Sequence, residues 1–240
     1  MKKQSFILHF LLFFAVFLYC FLPPLFTNTK TAGDSFPDYS YLAFLLSLLW
    51  SAVCLSAVYN QKYGNSSFSS TGLKHFMVFA SVKFQIKFRK CIKHYKSGIL
   101  TLLLLFASAL IINFFTKPAN PIIPQKTPLQ WIIFFLLTCF FASAEEVLYR
   151  YYLPRTLKFF INGFYKDSEA KSKRVLIEIG EFFAVLLFAL AHRYLGLASI
   201  IHAFISGALL RWNIKKTDTL VSVCLIHSLY NCLVFGFYLL

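Results

Sequence analysis

Two adjacent glutamates and a nearby arginine end a long stretch of apolar residues. Glu145 and Glu146 follow the uncharged segment WIIFFLLTCFFASA (131–144), and Arg150 comes four residues after Glu146. A carboxylate within an apolar helix is costly unless it is paired or faces a water-filled cavity, so such residues usually have a function. A carboxylate in that setting can act as a general base that removes a proton from water.

The spacing of these three residues predicts different roles for the two glutamates. Glu146 and Arg150 stand at i and i+4 with the acid first, which is the better orientation for an ion pair on one helix face. Glu145 is rotated by about 100° from Glu146 around the helix axis, so it points to a different neighbour. We therefore predict that Glu146 pairs with Arg150 and that Glu145 faces a cavity.

Histidines and an asparagine inside later apolar segments can complete such a site. His192 lies in LLFALAHRYLG, His227 lies in VSVCLIHSLYNCLVF, and His202 lies in SIIHAFISGALL. Asn231 follows His227 by four residues, so the two share a helix face. Taken singly, each is more often a hydrogen-bonding residue between helices. Acid, imidazole and amide groups on three apolar segments together indicate a functional site facing a water-filled cavity.

The elements that must position these residues are predicted to be membrane-spanning helices. The chain has 240 residues, of which 58% are apolar and 14% are charged, whereas soluble domains carry roughly 25% charged residues. The fold class is therefore all-α, a polytopic membrane bundle of about seven spans with interfacial amphipathic helices. The predicted spans are 5–26, 41–59, 98–115, 130–149, about 178–195, about 197–213 and about 218–239. The first is interpreted as an uncleaved span and not as a signal peptide.

The positive charge of the chain indicates its orientation. The net charge is +15, and the segments between apolar stretches that are rich in Lys and Arg all fall on the same side of the predicted membrane. The positive-inside rule assigns this side to the cytoplasm. Nucleic-acid binding is excluded as a function class, because no basic soluble module with interleaved aromatic residues is present. We expect an integral membrane protein of the bacterial cell membrane.

Two basic stretches are predicted to lie on the membrane surface. In 74–95, aromatic and aliphatic residues recur at helical spacing between lysines, which is typical of an interfacial helix on anionic lipids. The segment after Arg150 has a similar pattern, although a solvated loop is an equal alternative for 160–174. The apolar stretch 182–212 is too short for two full spans, so we predict a hairpin that turns near Gly196 and brings His192 towards the bilayer middle.

The chain contains three motifs in order, EEVLYR (145–150), FALAH (188–192) and HSLYN (227–231). They are similar to the EExxxR, FxxxH and HxxxN motifs of the CPBP family, also called the ABI or type II CAAX prenyl endopeptidase family. The resemblance covers roughly 130–235. This sequence departs from the family in two ways: 47 positions separate the first glutamate from the motif histidine, more than expected, and Tyr151 stands where the family usually has glycine.

The resemblance implies an intramembrane endopeptidase that acts near the cytoplasmic leaflet on a membrane-associated protein or peptide. The catalytic residues that it implies are Glu145, Glu146, Arg150, His192, His227 and Asn231. Water would be activated by the first glutamate near His192, and the oxyanion would be held by His227 and Asn231. The alternative is a non-catalytic member that binds a partner or confers bacteriocin immunity. On this basis residues 1–129 form N-terminal transmembrane helices with a basic loop, and 130–240 form the catalytic membrane core.

A metal ion is the alternative to a cofactor-free mechanism. The family has been labelled metalloprotease, and glutamate with two histidines can hold Zn²⁺. However, the chain has no HExxH motif, and an asparagine amide is a poor zinc ligand. We therefore predict a glutamate-activated water with no obligatory cofactor. The six cysteines form no CxxC pair and are interpreted as packing residues.

Overall fold

The structure is a computed structural model in which every described element is helical, as predicted. The described residues are 94–116, 123, 125–164 and 170–237. The predicted spans 5–26 and 41–59 and nearly all of the interfacial helix 74–95 lie outside the described residues. The count of seven spans therefore stays a prediction.

Six α-helices follow one another along the described part of the chain. They are α1 (Tyr95–Thr116), α2 (Pro128–Glu146), α3 (Leu153–Phe164), α4 (Ala170–Ala191), α5 (Leu197–Thr217) and α6 (Leu220–Phe237). A π-helical turn, Val147–Tyr152, joins α2 to α3, and a 3-10 turn, Arg193–Leu195, joins α4 to α5. The main packing pairs are α2 with α6, α1 with α5 and α6, α4 with α5, and α3 with α4.

Four helices in the described part are long and apolar enough to cross a membrane. They are α1, the continuous helix Pro128–Arg155, α5 and α6, and they match the spans predicted at 98–115, 130–149, 197–213 and 218–239. The span expected at 178–195 falls on α4, which is not one of the four. Its first half is polar because it carries Arg174, Glu178 and Glu181, and the first two of these are mostly exposed.

Local sequence explains where these helices begin and turn. Thr127 and Gln130 form a capping box before α2, with N–H to side-chain oxygen distances of 2.9 and 3.4 Å, and Pro128 occupies the first turn. Gly196 has φ 94° between α4 and α5, a conformation that favours glycine. The predicted hairpin near Gly196 is confirmed, although α4 extends further towards its N-terminus than expected.

The segment after the π-helical turn is helical where a loop had been an equal alternative. α3 runs to Phe164 and α4 starts at Ala170, so the loop alternative is wrong for 160–164 and for 170–174. α3 is amphipathic, with Leu153 and Phe160 buried and Arg155 and Lys158 exposed. This pattern fits the predicted interfacial helix.

Two apolar clusters hold the helices together. In the first, the π-helical turn packs on α4 and α5 through Tyr149, Tyr152, Leu153, Ala184, Leu187, Phe188, Ala189 and Ala203. In the second, α1, α5 and α6 meet through Leu105, Leu210, Val223, Ile226 and Tyr230. The outer face of α1 exposes large apolar residues such as Leu110, Phe114 and Phe115, as expected for a helix that contacts lipid.

A neutral polar group, here called the Asn213 node, also joins α1, α5 and α6. Asn213 Nδ2 donates to Thr101 Oγ1 at 2.9 Å and to the Ser97 carbonyl at 3.2 Å. Asn213 Oδ1 accepts from Ser222 Oγ at 3.3 Å and from Thr217 Oγ1 at 3.5 Å. All five residues are buried. Hydrogen bonds of this kind hold membrane helices together where apolar packing alone gives little preference.

Candidate active site

The glutamates lie where α2 changes into the π-helical turn. The Leu153 N–H bonds to the carbonyl of Leu148, five residues earlier. Pro154 has no N–H, and its ring crowds the carbonyl four residues before it, which belongs to Arg150. Single π-helical turns inside α-helices frequently occur at functional sites. The turn directly follows Glu146 and contains Arg150.

The second glutamate is buried between two cationic or potentially cationic groups. Glu146 Oε1 lies 3.2 Å from Arg150 Nη1 and 2.7 Å from His227 Nδ1, and its side chain is 0% exposed. The predicted Glu146–Arg150 ion pair is therefore confirmed. The contact with His227 of α6 joins residues 81 positions apart and was not predicted from the spacing.

The first glutamate is more accessible and faces the other nitrogen of the same imidazole. Glu145 has 37% of its side chain exposed, and its Oε2 lies 3.8 Å from His227 Nε2. This distance is too long for a direct hydrogen bond but suits one bridging water. Because Nδ1–H donates to the Glu146 carboxylate, the ring orientation presents Nε2 towards Glu145. We call Glu145, Glu146, Arg150 and His227 the glutamate cluster.

An aromatic ring packs on the arginine of this cluster, and a glycine lies beside it. The Arg150 guanidinium lies 3.7 Å from the centre of the Phe188 ring, a cation–π contact that stabilises a buried charge. On the other side, a Cβ on Gly207 would lie 3.4 Å from Arg150 Nη2 and 3.1 Å from Val185. The small residue at 207 therefore lets α5 pack closely against Val185 and Phe188 of α4, beside the guanidinium.

His192 and Asn231 are less directly connected to the cluster. His192 donates from Nδ1 to the Phe188 carbonyl at 2.8 Å, so its Nε2 is the ring nitrogen that can meet a substrate. Its ring centre is 4.7 Å from that of Phe188, which in turn is 6.2 Å from the His227 ring. Glu145 had been predicted to face His192. Among the described residues it forms no hydrogen bond or ion pair with His192 and lies near His227 instead. Asn231 is half-buried one turn after His227.

His202 has hydrogen-bond partners outside the cluster. Its Nε2 lies 3.0 Å from Tyr230 Oη and 3.4 Å from Ser206 Oγ. The contact with Tyr230 joins α5 to α6, which agrees with the interpretation of a buried histidine as a link between helices.

Sequence reasoning missed two charged residues near the cluster. They are Arg211 and Glu181, and the sequence alone assigned neither of them a role. In the structure Arg211 lies within α5, forms an ion pair with Glu181 of α4, and donates through Nη1 to the Arg150 carbonyl at 3.1 Å. Pro154 was the signal in the sequence that the Arg150 carbonyl needs another donor. In an α-helix the N–H of residue 154 would bond to this carbonyl, but proline has no N–H.

The arrangement of donors does not fit a metal ion as it stands. Within the described residues, no three side chains of His, Cys, Asp and Glu come together as a metal site requires. Glu146 Oε1 contacts Arg150 and His227, whereas Glu146 Oε2 is buried without a hydrogen-bond partner among the described residues.

Two thiols meet beside the site. Cys139 Sγ of α2 and Cys232 Sγ of α6 are 3.5 Å apart, and both cysteines are free. The expectation that the cysteines are packing residues agrees with this position between two helices.

Residues 125–233 match a family model described as type II CAAX prenyl endopeptidase Rce1-like. All six candidate site residues lie in the matched segment, so the resemblance stated from the three motifs is confirmed. No curated protein and no solved structure matches the chain.

Proposed function

Because residues 125–233 of this chain belong to the Rce1-like family of type II CAAX prenyl endopeptidases, we propose that the protein is an intramembrane endopeptidase. It hydrolyses a peptide bond near the cytoplasmic leaflet. The supporting observation is the position of His227 between a buried glutamate on Nδ1 and a half-exposed glutamate near Nε2. The family and the four apolar helices identify an integral membrane protein.

The proposed reaction starts with a water between Glu145 and His227. Glu145 takes a proton from this water, and the resulting hydroxide attacks the carbonyl carbon of the peptide. His227, in its imidazolium form, donates from Nε2 to the oxyanion, and the Asn231 amide is a second donor. When the tetrahedral intermediate collapses, the C–N bond breaks and the proton on Glu145 passes to the leaving amine. Water has then been added across the peptide bond.

The other three candidates support these steps. Glu146 accepts from His227 Nδ1 and balances the charge of the imidazolium, as the buried carboxylate of a catalytic triad does. Arg150 holds Glu146 in place through their ion pair. His192 presents Nε2 as an acceptor or donor for substrate near Phe188. We propose a membrane-associated protein or peptide as substrate, and a prenylated C-terminal peptide is the form that the family description suggests.

Proteomics of new chain termini tests the proposal. Membrane fractions from cells that carry the wild type, Glu145→Gln or Glu178→Gln are compared. Glu178 is the matched control, since it is a carboxylate with 61% of its side chain exposed that pairs with Arg174, away from the glutamate cluster. We expect termini that disappear with Glu145→Gln and persist with Glu178→Gln. Unchanged termini in Glu145→Gln would contradict the protease. A phenotype that survives this substitution would favour the non-catalytic binder.

A further inference from the structure

Arg211 reaches from α5 to the backbone of the π-helical turn. Its Nη1 donates to the carbonyl oxygen of Arg150 at 3.1 Å, across 61 positions of sequence. Side-chain donors to a backbone carbonyl inside a helical segment are unusual, because such a carbonyl normally accepts from the N–H four residues later. Here the residue four positions later is Pro154, which has no N–H.

The anchor of this arginine is on a third helix. Arg211 Nη2 pairs with Glu181 Oε1 of α4, and Lys215 pairs with the other oxygen of the same carboxylate. Arg211 and Glu181 are similarly shielded, with 18% and 17% of their side chains exposed, whereas Lys215 is 55% exposed. The negative charge of Glu181 also offsets the repulsion between two arginines that lie close together. Arg211 is thus held on one side by α4 and contacts the turn on the other.

Arg150 is the point where this support meets the glutamate cluster. Its backbone oxygen accepts from Arg211, and its guanidinium pairs with Glu146, which in turn binds His227. A shift of the turn would therefore move Glu146 relative to α6. We propose that Arg211 is a positioning residue: it replaces the donor that Pro154 removes and thereby fixes the turn that orients Glu146 and His227. Its effect on turnover rests on the proposed protease function, whereas its effect on the turn does not.

The first experiment is a double-mutant cycle that needs no activity. The unfolding equilibrium of the full chain in bicelles is measured for Arg211→Leu, Pro154→Ala and the double variant. Pro154→Ala returns a backbone N–H at the position that Pro154 now blocks. We expect Arg211→Leu to shift the equilibrium by about tenfold when Pro154 is present, as for one hydrogen bond to a charged group. The shift should be much smaller in the Pro154→Ala background. Fully additive effects would overturn the proposal, since independent sites add.

The second experiment separates positioning from general stability through kinetics. Arg211→Leu should lower kcat by about tenfold or more and leave KM nearly unchanged, because a misplaced catalytic group slows the chemical step. Arg211→Lys, which keeps a donor, and the Arg211→Leu/Pro154→Ala double variant should each recover part of kcat. Lys215→Leu is the matched control, as it removes the other cation on Glu181 without touching the Arg150 carbonyl.

The outcomes of the two experiments are distinguishable. Loss of kcat in Lys215→Leu equal to that in Arg211→Leu would overturn the positioning role, because only the charge on Glu181 would then matter. If the wild type cleaves no peptide, the protease proposal fails, and the unfolding cycle alone decides the inference about Arg211.

Discussion

Two polar groups are buried against α6, and they are built differently. The Asn213 node is neutral, and the amide of Asn213 has both its nitrogen and its oxygen bonded to side chains or backbone of α1, α5 and α6. The glutamate cluster is charged. It contains Glu145, which is 37% exposed, and Glu146 Oε2, which is buried without a hydrogen-bond partner among the described residues.

This difference in charge and hydrogen bonding indicates that the Asn213 node joins helices and that the glutamate cluster is suited to take part in a reaction. A neutral network in which every donor and acceptor is hydrogen-bonded makes one helix packing more stable than the alternatives. It has no free donor or acceptor for a substrate. A buried charge network costs desolvation and is weak evidence for stability by itself. The proposed reaction, which needs a base and an oriented imidazole, would account for a buried charge network beside an accessible carboxylate. The following predictions test this contrast from the largest expected effect to the smallest.

The largest effect is expected from substitutions of the two adjacent glutamates. One substitution should lower turnover, and the other should first lower stability. Glu145→Gln should keep expression and folding but lower turnover by about 10²–10⁴-fold, the range for loss of a general base. Glu146→Gln should first lower the free energy of unfolding by about 3–5 kcal/mol, because Arg150 stays buried without its counter-charge. Turnover and chemical unfolding of purified variants measure both effects.

A double replacement checks the origin of the Glu146 effect. Substitution of both Glu146 and Arg150 by leucine should recover part of the lost stability without activity, since no unpaired charge remains. If Glu145→Gln cleaves normally while a stable Glu146→Gln is inactive, the two roles are reversed.

A smaller effect is expected on α6. His227→Ala and Asn231→Ala should each lower kcat by about 10²–10³-fold, as for loss of one oxyanion donor. Substrate affinity should change less, because the donors act mainly on the transition state. Steady-state kinetics on a peptide found by the terminus comparison gives both values. Unchanged kcat in both variants would mean that this helix face only packs.

The Asn213 node should show the opposite pattern. Asn213→Leu removes hydrogen bonds between three helices and should lower the free energy of unfolding by about 1–2 kcal/mol. Turnover per folded molecule should stay within about twofold, since the node lies outside the chemistry proposed for the glutamate cluster. Thr116→Val is the control, as its exposed hydroxyl bonds to the Ile112 carbonyl of the same helix. A large loss of kcat in folded Asn213→Leu would remove the contrast between the two groups.

The smallest effect is expected from a chelator. EDTA should leave the turnover of purified, metal-analysed protein unchanged, because the proposed reaction uses a water that is activated by Glu145 and needs no metal ion. Full loss with EDTA and recovery with Zn²⁺ would contradict the water-activation scheme.

Local sequence was sufficient to predict contacts within one helix or one turn. The Glu146–Arg150 pair followed from i,i+4 spacing, and the turn at Gly196 followed from the length of the apolar stretch. Contacts between distant segments could not be predicted in this way. Periodicity gives the face of a helix but not its neighbour, so His192 was expected beside Glu145 where His227 lies. The contact of Arg211 with the Arg150 carbonyl depends equally on packing.

The facing thiols of Cys139 and Cys232 allow the two halves of the site to be locked together. Their sulfurs are 3.5 Å apart, and a disulfide requires about 2.0 Å, so a small movement would join α2 to α6. A thiol oxidant such as diamide would take up the two electrons and two protons released. The bond would hold the helix of both glutamates at a fixed separation from the helix of His227. Comparing oxidised and reduced samples would then show whether a substrate must part these helices to enter.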